Sequence, residues 1–143
     1  MTMVRKAATK NTFWLRMVAL VAIVFGLMTI REGGLVLYGN QAAVSAAGDF
    51  VPFVLWFNFI AGFFYILAGI GLWLQRRWAV WLAIILAAGT AFVFAAFGLH
   101  VALGGAFAQR TVVAMSLRTV IWTAIALIAR QQMRKRRVFG ASP

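Results

Sequence analysis

The chain contains no cysteine, only two acidic residues and a single histidine among its 143 residues. The lack of cysteine excludes disulfides, thiolate metal sites and thiol redox chemistry. Glu32, Asp49 and His100 leave almost nothing from which to build a metal site or an acid–base pair. No phosphate-binding glycine loop or nucleophile motif is present either. We therefore predict no catalytic residues, no metal and no cofactor, and we expect that the chain is not an enzyme by itself.

Hydrophobic residues, by contrast, make up 64% of the chain, and charged residues only 11%. The mean hydropathy of +0.94 lies far above that of a soluble domain of this size. The sequence therefore predicts an integral membrane protein. The 14 basic residues are concentrated at the chain ends and in one short turn. This distribution is typical of membrane topology, so nucleic acid is not expected as a partner.

Four long apolar stretches predict one domain, an all-α four-helix bundle that spans the membrane. The predicted spans are residues 13–38, 50–74, 78–103 and 111–129, flanked by a basic segment at 1–12 and a basic tail at 130–143. The first span is longer than the roughly 30 Å hydrocarbon core, so we expect a tilt or a break at Gly33 and Gly34. The small residues from Ala43 to Ala47 lie too far beyond this span for a signal-peptide cleavage site. The stretch from Asn40 to Asp49 is expected to be a loop.

The charged segments predict the orientation of the bundle. Basic residues occur in the N-terminal segment, in the turn from Gln75 to Arg77 and in the tail, whereas the other two loops contain only Arg110. By the positive-inside rule, both termini should be cytoplasmic, and the tail should lie against anionic lipid. Aromatic residues support the two boundaries: Trp14, Trp73, Trp78 and Trp81 fall near the inner one, and Trp56 and Tyr38 near the outer one.

A few polar residues inside the spans fall at a similar depth, in the outer third of the membrane. They form a candidate ligand-binding or buried polar cluster that comprises Arg31, Glu32, Asn58, Tyr65, His100 and Arg118. One interpretation is a structural ion pair, in which Arg118 or Arg31 neutralises Glu32. The other is a pocket whose excess of positive charge suits an anionic or carbonyl-bearing ligand, such as a quinone head group or lipid phosphate. His100 by itself is more typical of an interfacial residue.

Helical spacing predicts which faces of two spans are buried. On the second span, one stripe of polar and small residues should face the bundle interior and comprises Asn58, Gly62, Tyr65 and Gly69. The residues left to face lipid are Phe57, Ile60 and Phe64. On the third span, small residues recur every four positions at Ala87, Ala91 and Ala95. This pattern favours a close helix–helix contact there.

Two segments carry a resemblance to a known group. They are Leu15-Arg16-Met17 before an apolar run with Gly26, and the stretch from Ala68 to Leu72 that leads into Arg76-Arg77. In these the chain resembles the DoxX-like group of small four-span bacterial membrane proteins. The resemblance implies a multi-pass protein of the bacterial inner membrane. Some members of the group look like membrane subunits of oxidoreductases that pass electrons to quinone.

Three functions are compatible with these observations. The first is an accessory subunit or a bundle that binds a small lipid-like or quinone-like ligand, since the chain has a polar cluster but few catalytic groups. The second is a small oligomeric transporter or channel that uses Glu32 and Arg118. The third is a membrane subunit of a quinone-linked oxidoreductase, whose partner would hold the redox centre because a lone histidine cannot ligate haem on both sides. The expected partners are membrane lipids and a membrane protein or further copies of the chain.

Overall fold

Five α-helices make up the chain in this computed structural model, which describes the backbone of residues 2–139 and the side chains of residues 12–134. The helices are α1 (Thr2–Leu37), α2 (Gln41–Ala47), α3 (Pro52–Trp73), α4 (Arg77–Ala102) and α5 (Gln109–Phe139). Four segments are long and apolar enough to cross a bilayer: Thr12–Leu37, Pro52–Trp73, Arg77–Ala102 and Gln109–Arg134. The predicted all-α, four-span architecture is confirmed, and the protein is a multi-pass membrane protein.

The first and last helices are longer than their predicted spans. α1 includes nearly all of the basic segment that precedes the first span, and α5 continues through the basic tail to Phe139. Lys, Arg, Gln and Met are good helix formers, so the helices continue beyond the apolar residues. The break expected at Gly33 and Gly34 does not occur, since α1 is helical to Leu37. Gly33 packs against Phe59 of α3, where a Cβ would come within 3.2 Å of the Phe59 Cβ.

The expected loop between the first two spans instead contains a short helix, α2. Asn40 precedes it in an extended conformation, and its side-chain oxygen accepts a hydrogen bond from the Ala43 backbone N–H at 3.0 Å. An N-terminal asparagine cap followed by alanines is a favourable helix start. Seven residues are too few to show helical periodicity in a sequence, which explains why the loop prediction was wrong.

The four long helices pack in a ring in which α1 contacts α3, α3 contacts α4, α4 contacts α5, and α5 contacts α1. The α1–α3 contact is the most extensive, because glycines allow the two backbones to approach closely. A Cβ on Gly26 would lie only 2.8 Å from the Gly62 carbonyl oxygen, and one on Gly69 only 2.9 Å from that of Ala19. The predicted role of Gly62 and Gly69 in close packing is therefore confirmed.

The interior confirms the predicted stripe on the second span. Asn58, Gly62, Tyr65 and Gly69 are all buried in α3. Ile60 and Phe64 are exposed as predicted. Phe57 was predicted to face lipid but is partly buried, and it packs against the main hydrophobic core.

The alanine stripe on the third span does not form the predicted contact. Ala91 and Ala95 are exposed on α4, and Ala87 is only partly buried. The buried face of this helix is a different one and comprises Ala79, Val80, Ala83, Leu86, Thr90 and Phe97. α4 is apolar on every side, so spacing of small residues alone did not reveal its rotation in the bundle. Ala91 and Ala95 thus face away from the other helices of this chain, whereas Ala87 packs against the main hydrophobic core.

Large apolar side chains cover the outside of the bundle. Each spanning helix exposes several of them, for example Leu27 on α1, Ile60 on α3, Phe92 on α4 and Val120 on α5. In water such a surface would promote aggregation, whereas in a bilayer it contacts lipid chains that are equally apolar. Trp14, Trp73, Trp78 and Trp81, predicted for one boundary, and Trp56 and Tyr38, predicted for the other, are all exposed.

Candidate functional site

A cavity of about 180 Å³ lies at the end of the bundle where α1 ends and α3 and α5 begin. Each of these helices lines it with one face: positions 29, 32, 33 and 36 of α1, positions 54, 55 and 58 of α3, and positions 110, 111, 114 and 118 of α5. Such spacing places the residues along one side of each helix. α2 covers the cavity through Ala43, Ala46 and Ala47, so its walls are mainly apolar with a few convergent polar groups.

Arg118 is the charged group deepest in this set. Its side chain is partly buried, and its Nε is buried without a hydrogen-bond partner among the described residues. The guanidinium carbon lies 5.8 Å from the ring centroid of Phe25, within cation–π range. The described residues therefore stabilise the charge by an aromatic face while leaving an N–H donor of Arg118 unsatisfied.

Asn58 contributes the complementary group. Its side chain is only 9% exposed, and its Nδ2 donates a weak hydrogen bond to the Met115 sulfur at 3.5 Å. Its Oδ1 is buried without a partner among the described residues. Asn58 of α3 and Arg118 of α5, each with a buried polar atom that has no partner among the described residues, thus line the same cavity. Unpaired buried polar groups are rare in native structures because each costs free energy, so Asn58 and Arg118 are candidates for binding a ligand.

Glu32 lies at the rim of the cavity and forms its ion pair with Arg31. Arg31 Nη1 donates to Glu32 Oε1 at 2.9 Å, and both side chains are more than half exposed. Of the two partners considered for Glu32, the structure shows Arg31, and no ion pair joins Glu32 to Arg118 among the described side chains. The positive charge of Arg118 inside the cavity is therefore not neutralised by a carboxylate contact.

Arg110 lies on the other side of the cavity rim from Glu32. Its Nη1 donates to the Ala46 carbonyl oxygen at the end of α2, which ties α2 to the start of α5. Arg110 also lines the cavity, so a second guanidinium borders the space in which Arg118 lies. This end of the bundle combines two arginines that line the cavity with one carboxylate that is already paired to Arg31.

The remaining predicted site residues lie elsewhere. Tyr65 is fully buried below the cavity, where its hydroxyl is 3.4 Å from Thr90 Oγ1 and its ring packs against Trp122 at 4.4 Å between centroids, with the two ring planes tilted by 33°. His100 lies at the end of α4, with Nε2 3.3 Å from the Ala106 carbonyl oxygen and its ring edge-on to Phe53. Neither residue lines the cavity. Arg31 also stays outside it.

Several cavity residues were not among those predicted, in particular Thr29, Arg110 and Thr111. Thr29 lies three residues before Glu32 and is buried, so helical spacing from Glu32 could have identified it. Arg110 was visible as the isolated basic residue of the outer loops. The sequence did not indicate that α2 would cover the cavity, because the alanines of this short segment have no polar or reactive side-chain groups.

Comparison of the chain with protein-family models, with curated proteins and with solved structures finds no match.

Proposed function

We propose that this protein is a membrane-embedded binding bundle whose outer cavity takes the head group of a small amphiphile, either an anionic group or a carbonyl-bearing ring. The observation that supports this most strongly is that Arg118 and Asn58 line one cavity and that each has a buried polar atom without a partner in the described part of the chain. A phosphate or quinone oxygen accepts from Arg118, and a hydroxyl or a protonated oxygen donates to Asn58.

The shape of the cavity supports a head group with an alkyl chain. Its volume of about 180 Å³ is too small for a whole lipid, while Val36, Val54 and Leu55 provide apolar walls. Glu32 and Arg110 line the cavity and are exposed, so the cavity opens to the outside of the bundle at these two residues. Pockets of this kind, apolar with a few convergent polar groups, are typical of small-molecule sites.

The proposed setting is the inner membrane of a bacterium, with both termini in the cytoplasm and the basic tail against anionic lipid. The charge asymmetry of the loops supports the orientation, and the resemblance to the DoxX-like group supports the membrane. The proposed role is that of an accessory subunit, either in a homo-oligomer or beside another membrane protein. Copurification from native membranes with mass spectrometry would identify both the partner and the bound amphiphile.

Two alternatives remain predictions. A transporter that uses Glu32 and Arg118 needs a polar path through the bundle, but below the cavity Tyr65 and Trp122 stack within an apolar core. This packing favours a binding site that is closed on one side. A quinone-linked redox subunit is the special case in which the ligand is a quinone and a partner supplies the redox centre.

The test uses the full-length protein in maltoside detergent and three amphiphiles with the same decyl chain: decyl phosphate, decylubiquinone and decanol. A ligand that binds only the folded protein raises its melting temperature. We expect decyl phosphate or decylubiquinone to raise the melting temperature and decanol to leave it unchanged. Arg118→Met should weaken binding of the active probe by about tenfold or more, since it removes a charged hydrogen bond.

Leu117→Ala is the matched control, because Leu117 is the exposed neighbour of Arg118 on α5. It should keep the parent response to each probe. Equal responses to all three amphiphiles, or an unchanged response in Arg118→Met, would contradict the assignment of the cavity as the binding site.

A further inference from the structure

A second concave surface lies at the opposite end of the bundle from the outer cavity. It is a groove of about 400 Å³ between the first turns of α4 and the later part of α5. Three arginines line it: Arg77 from α4, and Arg130 and Arg134 from α5. Arg130 and Arg134 are one helical turn apart, so both project on the same side of α5 toward the groove.

The charge of this groove is not balanced by the protein. All three arginines are exposed, and none forms an ion pair or hydrogen bond with another described residue. α4 begins beside them at Arg77, and Arg76 before it supplies no side-chain cap. The partial positive charge of this helix N-terminus adds to that of the guanidinium groups. The groove therefore favours an anion with several acceptor oxygens.

The other residues of the groove are apolar. Val80, Trp81 and Ile84 line it from α4, and Met133 from α5. The side chain of Trp81 is 68% exposed and extends the apolar wall outward from the bundle. Charged residues at one end and apolar residues along the walls match a molecule that is itself anionic at one end and apolar at the other.

The position of the groove in the bundle indicates where that molecule comes from. Arg77 is the first residue of one candidate span, and Arg130 directly follows Ala129, the last residue of the apolar stretch predicted over 111–129. The arginines thus lie at the level where a span leaves the hydrocarbon, and Trp81 lies just inside it. This is the depth of phospholipid phosphates and of interfacial tryptophans.

We propose that this groove binds one anionic glycerophospholipid, with its phosphate among Arg77, Arg130 and Arg134 and the first part of its acyl chains along Trp81 and Ile84. Arginine suits this role because its planar fork donates two parallel hydrogen bonds to a phosphate. The site is discrete and binds one lipid, unlike the general attraction of a basic tail to an anionic surface. It does not depend on what the outer cavity binds.

Native mass spectrometry of the delipidated full-length protein in detergent tests the proposal, with phosphatidylglycerol and phosphatidylcholine as probes. We expect one phosphatidylglycerol to bind more tightly than phosphatidylcholine. Arg130→Gln/Arg134→Gln should weaken phosphatidylglycerol binding by about 30-fold and leave phosphatidylcholine binding unchanged. Arg77→Gln, on the opposite wall, should weaken it by about fivefold, which tests the same site without altering α5.

Arg16→Gln/Arg76→Gln is the matched control. It removes the same charge from exposed arginines at the same end of the bundle, but neither residue lines the groove. The loss of affinity should stay below about threefold, because charges outside the contact are screened. Equal losses in the two double variants, or equal binding of the two lipids by the parent, would overturn the proposal. Displacement of phosphatidylglycerol by inorganic phosphate at matched concentration would assign the groove to the free anion instead and overturn the lipid assignment.

Discussion

Among single residues, Arg118 and Asn58 each have a buried polar atom without a partner among the described residues, as do Trp122 and Gln132. Of these four, only Arg118 and Asn58 line the cavity. In a bundle surrounded by lipid, water does not readily compensate such groups, so each lowers the stability of the free protein. Glu32 and Arg31 show the opposite case, since they are exposed and paired with each other. Exposed ion pairs contribute at most about 1 kcal/mol. The unsatisfied atoms of Arg118 and Asn58, rather than the exposed ion pair, therefore support the proposed site.

Asn58→Leu tests this distinction. The change removes the unpaired amide oxygen and keeps a side chain of similar volume, so we expect the free energy of unfolding to stay equal or to rise by up to about 2 kcal/mol. The melting temperature in detergent measures this. The same variant should lose most of the thermal shift produced by the decyl probe that binds the parent. A clear loss of stability would contradict the expectation and show that Asn58 is a structural residue.

At the scale of elements, the α1–α3 contact depends on the absence of side chains at Gly26, Gly62 and Gly69. Added atoms there would meet backbone carbonyl groups as well as the side chains of Ile66, Ile30 and Ile23. Backbone does not move aside as a flexible side chain does, so the contact tolerates little increase in volume. α1 and α3 also form two walls of the cavity that contains Arg118 and Asn58.

We expect Gly26→Ala to lower the free energy of unfolding by about 1 to 3 kcal/mol, because its Cβ would lie 2.8 Å from the Gly62 carbonyl oxygen. Gly98→Ala is the matched control, since Gly98 is also inside a helix and has no atom within 4 Å of the added Cβ. It should be neutral or stabilising by up to about 1 kcal/mol through helix propensity. Thermal unfolding of both variants in detergent gives the comparison, and equal losses would remove the case for a close contact.

Two substitutions in α4 give a second test of packing. The sequence predicted a close helix contact at Ala91, whereas the structure buries Leu86 and exposes Ala91. Leu86 is only 7% exposed within the main core, whereas Ala91 is exposed. Leu86→Ala should therefore cost about 2 to 5 kcal/mol by opening a cavity. Ala91→Leu adds an apolar side chain that faces lipid and should change the melting temperature little. A larger loss for Ala91→Leu than for Leu86→Ala would mean that the exposed face of α4 packs against another copy or a partner.

At the scale of the whole molecule, the two ends of the bundle differ in chemistry. One end carries the covered cavity with Asn58 and Arg118, and the other carries Arg77, Arg130 and Arg134 beside exposed tryptophans. Four spans place both chain ends on one side of the membrane and α2 on the other. A ligand of the outer cavity and a lipid in the basic groove would thus come from opposite leaflets.

Cysteine labelling tests this arrangement, because the chain has no cysteine of its own. Ser45→Cys in α2 should react with a membrane-impermeant maleimide from outside the cell. Ser142→Cys, which lies outside the described residues, should react only after the membrane is opened. Labelling of both positions from the same side would contradict the four-span topology.

The amino-acid sequence was sufficient to predict a membrane protein with four spans, because hydropathy and length are properties of each segment alone. The spacing of polar and small residues also predicted the buried face of α3. The sequence also identified Glu32, Asn58 and Arg118, since polar residues in an apolar helix are conspicuous wherever they point. The packing of the helices was needed to show that these three residues line one cavity, that Tyr65 and His100 do not, and that α2 covers it. The rotation of an apolar helix has no signature in polarity, because lipid and bundle interior are equally apolar. Size complementarity between helices, such as that at Gly26 and Gly62, sets the rotation, and it appears only when the helices meet.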